Sequence, residues 1–331
     1  MVYGETMRWI PPFLAIAMVT ACSPPPKAVV PAVTVTARPW QGWTDALVVA
    51  NGLVEVVVVP SIGRIMEFRM AGEMEGPFWH DAALHGQPVD PGGGEWRNFG
   101  GDKTWPAPQE AWPLHWPKAW PPPVLFDQSA MAAVIDGETL VLSSAVDGAT
   151  GLRCRREITL VAGMPEMRVR TVYQKVSGDP VAVSPWVVTQ LKDPEAMCAP
   201  VPAGSGMEGG WVPLSEVVPG VVSEGGLVKW KRDRERSAKI GLDGTRLVWV
   251  GARHVLRIDC ERPTGNYPDK GSSTQIYTNS GERAYIELET LGPIEVLKPG
   301  GSCEAVNRYT LGRRDPVRAA DEEAAAAARV R

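Results

Sequence analysis

The chain has 331 residues, 34 basic and 38 acidic, for a formal net charge of −4 at neutral pH. That balance excludes a nucleic-acid binder driven by broad counterion release. Apolar residues make up 44%, enough for a globular core, while 34 Gly and 31 Pro are too many for a helical bundle and too few for a disordered chain.

The first element is an address. Arg8 precedes an apolar run from Phe13 to Val19 and then small residues, the shape of a secretory leader and too short to span a bilayer permanently. Glu5 does not suit such a leader, so Met7 is a candidate true start. Val19-Thr20-Ala21-Cys22 resembles a bacterial lipobox; the other reading is an ordinary leader that happens to carry a Cys. The lipobox resemblance implies an acylated Cys22 as a stable membrane anchor, and Ser23 rather than Asp points by the same analogy to the outer membrane of a cell envelope. Prolines 24, 25, 26, 31 and 39 then make residues 23–39 a semi-rigid tether, with a reach on the order of 50 Å at about 3.1 Å per residue.

From Leu47 onward the chain reads as strands. Leu47–Ala50 and Leu53–Val59 flank Asn51-Gly52, and Met131–Ile135 and Thr139–Ala145 flank Asp136-Gly137, both tight-hairpin signals. Leu152–Val161, Glu166–Lys175, Val181–Gln190, Arg246–Val250, Val255–Cys260, Thr274–Thr278, Ala284–Leu291 and Cys303–Leu311 continue the pattern. No amphipathic helix alternates with them, which excludes a doubly wound sheet. The expected class is all-β, a large twisted antiparallel β-sandwich. Only the Ala-rich segment 321–329 reads as helix, and with almost nothing bulky to bury it is expected to fray. The organisation is therefore residues 1–21 leader, 22–45 acylated Cys and tether, 46–312 sandwich and 313–331 tail.

The 13 Trp exceed the Tyr and Phe together, an excess that marks a surface for flat or amphipathic ligands. Five of them (96, 105, 112, 116, 120) fall between residues 96 and 120 among repeated prolines, a long loop of the kind that is usually functional. Trp105 and Trp112 are candidate stacking platforms for a sugar ring, with Asp102, Lys103 and Gln109 as hydroxyl partners. The other reading packs most of these Trp as a plug over a sheet end. On a strand, Tyr285, Glu287 and Glu289 share one face, and their carboxylates would lie about 6–7 Å apart. If that face lines a cleft, burial and like charge favour a proton-sharing base; otherwise the face is solvated. Asp269 and Lys270 sit in a polar turn before the Thr274–Thr278 strand and are candidates for the cleft mouth. The run Lys229–Lys239 reads as a solvated turn, and Arg153, Arg155 and Arg156 as a solvated strand face or a sugar-acid site. Gly92–Gly94 lacks the Lys-Ser/Thr of a phosphate loop. Besides Cys22, Cys154, Cys198, Cys260 and Cys303 allow three disulfide pairings or four free thiols. No zinc spacing or cofactor motif is present, so no cofactor or metal is expected.

The segment Phe99-Gly100-Gly101-Asp102-Lys103-Thr104-Trp105-Pro106-Ala107-Pro108-Gln109 resembles the Gly-Gly…Trp-Pro segment of the galactose mutarotase-like (aldose 1-epimerase and hexose-phosphate epimerase) superfamily. Asn51-Gly52…Pro60…Gly63-Arg64-Ile65 is similar to its first hairpin, and Ile286-Glu287-Leu288-Glu289-Thr290 to the strand carrying its catalytic glutamate. The match, to an uncharacterised bacterial branch, spans roughly residues 46–311. It implies the mutarotase-like supersandwich with a sugar cleft on a concave sheet face and Glu289 as the base, with Glu287 beside it. The family's catalytic histidine has no counterpart in its usual strand context. Of His80, His85, His115 and His254, only His115 lies in the Trp segment, as a candidate acid. The expected protein is a lipid-anchored carbohydrate binder with possible epimerase chemistry, held to the membrane through Cys22. Alternatives are a non-catalytic glycan-binding module and an envelope scaffold. Export argues against a phosphorylated hexose as the usual ligand.

Overall fold

The computed structural model describes residues 1, 2, 4, 31–90 and 96–330. The apolar run of the leader, Cys22, the tether up to residue 30 and the Gly92–Gly94 connector lie outside the described residues. Strands and helices occur within the unit Pro31–Arg331. In chain order the strands are β1 Thr34–Ala37, β2 Leu47–Ala50, β3 Val54–Val59, β4 Arg64–Met70, β5 Asp102–Ala107, β6 Ala132–Asp136 and β7 Thr139–Ser143. Next come β8 Leu152–Leu160, β9 Glu166–Lys175, β10 Val181–Lys192, β11 Ala196–Pro200, β12 Val212–Pro213, β13 Val222–Glu224 and β14 Leu227–Trp230. The last are β15 Ala238–Leu242, β16 Arg246–Val250, β17 His254–Cys260, β18 Thr274–Thr278, β19 Tyr285–Leu291, β20 Glu295–Leu297 and β21 Ser302–Arg313.

Two antiparallel sheets result. One runs β1-β2-β3-β4-β5-β10-β19-β18-β15-β12, with β20 also on β10; the other runs β13-β14-β11-β16-β17-β21-β9-β8-β7-β6. The large all-β sandwich expected from the strand pattern is what forms. Period-two alternation decides which side chains meet between the sheets. From the first sheet Val56, Val58, Ile276, Ile286 and Leu288 enter the core, and from the second Ile158, Val169, Tyr173, Tyr309 and Leu311.

Local chemistry explains the connections. At the first hairpin only Gly52 takes positive φ. Asn51 works instead through its side chain: its Oδ1 accepts from the N–H groups of Leu53 and Val54, and its amide donates to the carbonyls of Val161 and Met164. The Trp- and Pro-rich segment is not all loop. Residues 102–107 form β5, paired along β10 from Asp102↔Thr189 to Ala107↔Ser184. Pro106 is tolerated there because it faces Pro185; a pair with no N–H to exchange fits a non-hydrogen-bonded position of the ladder.

A buried charge pair joins the two sheets. Asp102 on β5 accepts from Arg156 of β8, from Thr189 Oγ1 at 2.6 Å and from Tyr309 OH at 2.7 Å, with Asp102 and Arg156 both at 0% exposure. Arg156 is therefore neither on a solvated face nor in a ligand site. The four cysteines at 154, 198, 260 and 303 are free thiols, each pushed up to about 12, mainly by burial.

The tail is docked rather than frayed. In the helix Ala320–Arg329, Ala324 and Ala328 are buried against Ala196, Cys198, Val248, Val250 and Val255. Small side chains let the helix lie close to the sheet, and Arg246 donates to the terminal carbonyls of Ala328 and Val330. Ala324→Asn, which puts an unpartnered amide into that contact, is expected to cost roughly 1–3 kcal/mol in chemical denaturation. An unchanged midpoint would mean that the docking adds nothing to stability.

Candidate active site

The outer face of the first sheet carries the site. On β19 Ile286 and Leu288 point into the core, so Glu287 and Glu289 point away from it. Register then assembles their neighbours. Glu289 lies opposite Val188 on β10 and Gln275 on β18; Glu287 lies opposite Gln190 and Tyr277. Trp105 on β5 faces Trp186 on β10, and Lys239 on β15 faces Tyr277.

A cleft of about 340 Å³ opens over these residues, with Glu287, Glu289 and Lys239 as charged groups in its lining. Trp96, Trp105, Trp120 and Trp186 supply aromatic walls, and Gln109, Asn98, Tyr277, Asn279, Arg283 and Tyr285 complete the lining. The carboxylates of β19 and the indoles of the Trp segment thus converge on one hollow, although about 170–190 residues separate them in sequence.

Glu289 is fully buried. Its Oε2 accepts from Trp186 Nε1 at 2.6 Å and Lys239 Nζ at 2.8 Å, while its buried Oε1 has no intramolecular partner. Burial is the largest influence and raises its pKa to about 7; Lys239 opposes the rise and Glu287 adds to it. Glu287 Oε1 accepts from Gln190 Nε2 at 2.8 Å and lies 3.9 Å from Lys103 Nζ. Burial lowers the Lys103 pKa to about 8, with Arg64 adding to the fall and Glu287 resisting it. Lys239 Nζ also sits 4.4 Å from the centre of the Trp186 ring, a cation–π contact.

The aromatic walls are pinned from behind. Asp127 accepts from Trp96 Nε1 at 2.7 Å and from Trp105 Nε1 at 2.9 Å. It is in turn held by the buried Arg64 at 2.8 Å. This satisfies two indole N–H groups that burial would otherwise leave unpaired.

The sequence candidates divide accordingly. Glu287, Glu289, Trp105 and Gln109 border the cleft, Gln109 with a long 3.4 Å bond to the Ala119 carbonyl. Lys103 lies under its floor beside Glu287. Asp102, one residue earlier on the same strand, faces the opposite way, into the pair with Arg156. Trp112 is buried behind the wall, its N–H on the Pro106 carbonyl, edge-on to Trp105 at 6.2 Å; it presents no stacking face. His115 contacts Trp116 and borders a different, small hollow with Pro108 and Leu152, so it is no acid for this cleft. Asp269 accepts from Gln275 Nε2 at 2.6 Å and Lys270 reaches the Pro213 carbonyl; neither lines the cleft, and both shape a turn at positive φ. The remaining histidines also lie elsewhere: His80 and His85 bond each other beside Trp40, and His254 bonds Glu73. Trp186, Lys239 and Asp127 went unselected in the sequence. Alternation along Val181–Gln190 signals that Trp186 shares a face with Gln190; nothing local signals Asp127.

No protein-family profile matches the chain, and no curated protein is similar to it by sequence. Its fold does match solved structures. A galactose mutarotase-like protein from Lactobacillus casei superposes with a TM-score of 0.56 at 9% identity, covering 81% of this chain and 100% of that one. Another from Clostridium acetobutylicum gives 0.53 at 10% identity over 86% and 99%. A proposed aldose 1-epimerase from Escherichia coli gives 0.54 at 10% identity over 86% and 100%. The chain has the galactose mutarotase-like fold, as the motifs in its sequence suggested.

Proposed function

We propose that the protein binds a carbohydrate in the Trp-walled cleft and interconverts its anomers with Glu289 as general base. The observation that carries this reading is the Glu289 carboxylate: buried in the cleft lining, with one oxygen held by Trp186 and Lys239 and the other without an intramolecular partner. A base must be within reach of the proton it takes and titrate near the working pH. Indole faces suit the apolar face of a pyranose, and the Asn98 and Gln109 amides carry donors and acceptors for its hydroxyls. The fold shared with the mutarotase-like proteins supports the same class of ligand. Cys22 and the tether before the sandwich support an envelope protein held by a lipid anchor.

The absence of a histidine from the cleft lining favours a second reading, a glycan-binding module without turnover. Both are tested by following anomer exchange of free aldoses by NMR alongside binding by Trp fluorescence. Acceleration at catalytic protein concentration supports the enzyme; saturable quenching without acceleration supports the module; neither signal across an aldose panel removes both readings. Trp120, 48% exposed at the cleft wall, offers an independent check. Trp120→Ala is expected to weaken sugar binding by roughly 1–3 kcal/mol in affinity, the order of an aromatic hot spot, with little change in melting temperature. Undiminished affinity would place the sugar elsewhere.

A further inference from the structure

Anomer interconversion needs two proton positions: a base for the anomeric hydroxyl and an acid for the ring oxygen. We infer that Lys239 is the acid. The assignment rests on the anomer-exchange reading above. Lys239 Nζ borders the cleft, lies 2.8 Å from Glu289 Oε2 and is seated over the Trp186 ring. Its side chain keeps 19% exposure and lines the cleft, whereas Lys103 is 1% exposed and does not line it.

The other proton carriers at the cleft fit the role less well. Arg283 cannot release a proton, and it leans toward Asp81 at 3.5 Å. Tyr277 gives its hydroxyl hydrogen to Asn279 Oδ1. Burial drives the Tyr285 hydroxyl far above its ordinary pKa. Glu287 is already engaged, accepting from Gln190 and lying 3.9 Å from Lys103.

The geometry also matches the sugar. Lys239 Nζ lies 2.8 Å from the Glu289 carboxylate in the lining of one cleft, so with a pyranose seated there the carboxylate can take the proton on O1 while the ammonium donates to the adjacent ring oxygen. The step balances. The O1 proton passes to Glu289, the bond from C1 to the ring oxygen breaks, and the ring oxygen takes a proton from Lys239. An open-chain aldehyde results. Rotation about the bond from C1 to C2 and the reverse transfers close the ring on the other face and restore both groups.

The test compares Lys239→Arg and Lys239→Met with Tyr277→Phe and Glu289→Gln in the full chain, using anomer exchange by NMR and sugar affinity by Trp fluorescence. Arginine keeps the charge beside Glu289 but cannot deliver a proton. The expected result is a 10²–10⁴-fold rate loss in both Lys239 variants, with sugar affinity retained in Lys239→Arg. A Lys239→Arg rate equal to wild type, with Glu289→Gln inactive, overturns the assignment while leaving the base in place. Loss in Tyr277→Phe with Lys239→Arg fully active moves the role to Tyr277. A wild-type protein that binds sugar without speeding exchange overturns the epimerase reading and this assignment with it.

Discussion

Glu289→Gln is expected to lower anomer exchange about 10²–10⁴-fold, the usual worth of a positioned base, while sugar affinity stays within a few-fold. The amide keeps the size of the carboxylate and an oxygen for Trp186 Nε1, so the wall it braces is preserved. What disappears is basicity. The same group predicts a pH profile. Burial lifts Glu289 to about 7, so below that pH the carboxyl is protonated and idle, and the wild-type rate should climb through pH 7 toward a plateau. Lys239 lowers this pKa; removing its charge in Lys239→Met should move the climb to higher pH, whatever residual rate is left. A wild-type rate flat from pH 5 to 9, or a Gln variant as fast as wild type, would remove Glu289 from the chemistry.

The second large effect concerns stability. Asp102→Ala strips the buried Arg156 guanidinium of its carboxylate and takes an acceptor from Thr189 and Tyr309. Breaking a buried pair on one side typically costs 3–5 kcal/mol, because the remaining charge is desolvated and unpaired. Chemical denaturation of Asp102→Ala should show a loss of roughly that size. The double change Asp102→Leu with Arg156→Met should recover a large part of it, since an apolar pair of similar volume often replaces a buried ion pair without net cost. A single variant within about 0.5 kcal/mol of wild type would mean that the inter-sheet pin carries no stability of its own.

How far the sequence announced this site depended on whether the relevant physics was local. Strand alternation is local, and it put Glu287 and Glu289 on one face with Ile286 and Leu288 on the other, as the fold has it. The same rule applied to β5 separates Asp102 from Lys103, but the prolines around it disguised that segment as loop; the Pro106–Pro185 pairing that rescues the strand is a long-range fact. Lys239 sat in a run of mixed charge; the β15–β18–β19 register sets it in line with Tyr277 and Glu287, from where its long side chain reaches diagonally to Glu289. Arg156 was hidden among Arg153 and Arg155 because its partner comes from the other sheet. The Trp segment divided between plug and platform, and Trp112 belongs to the plug for a reason no spacing reveals: its N–H is spent on the Pro106 carbonyl.

Asp127 gives the cleft a property that its lining alone would not suggest. Because one carboxylate tethers the indoles of Trp96 and Trp105 and is itself clamped by Arg64, the two rings share a common hinge pin. A remodelling of ligand preference that tried to shift one ring would drag the other, so new specificities on this scaffold should be sought first at Trp120 and Arg283, whose side chains that carboxylate does not hold.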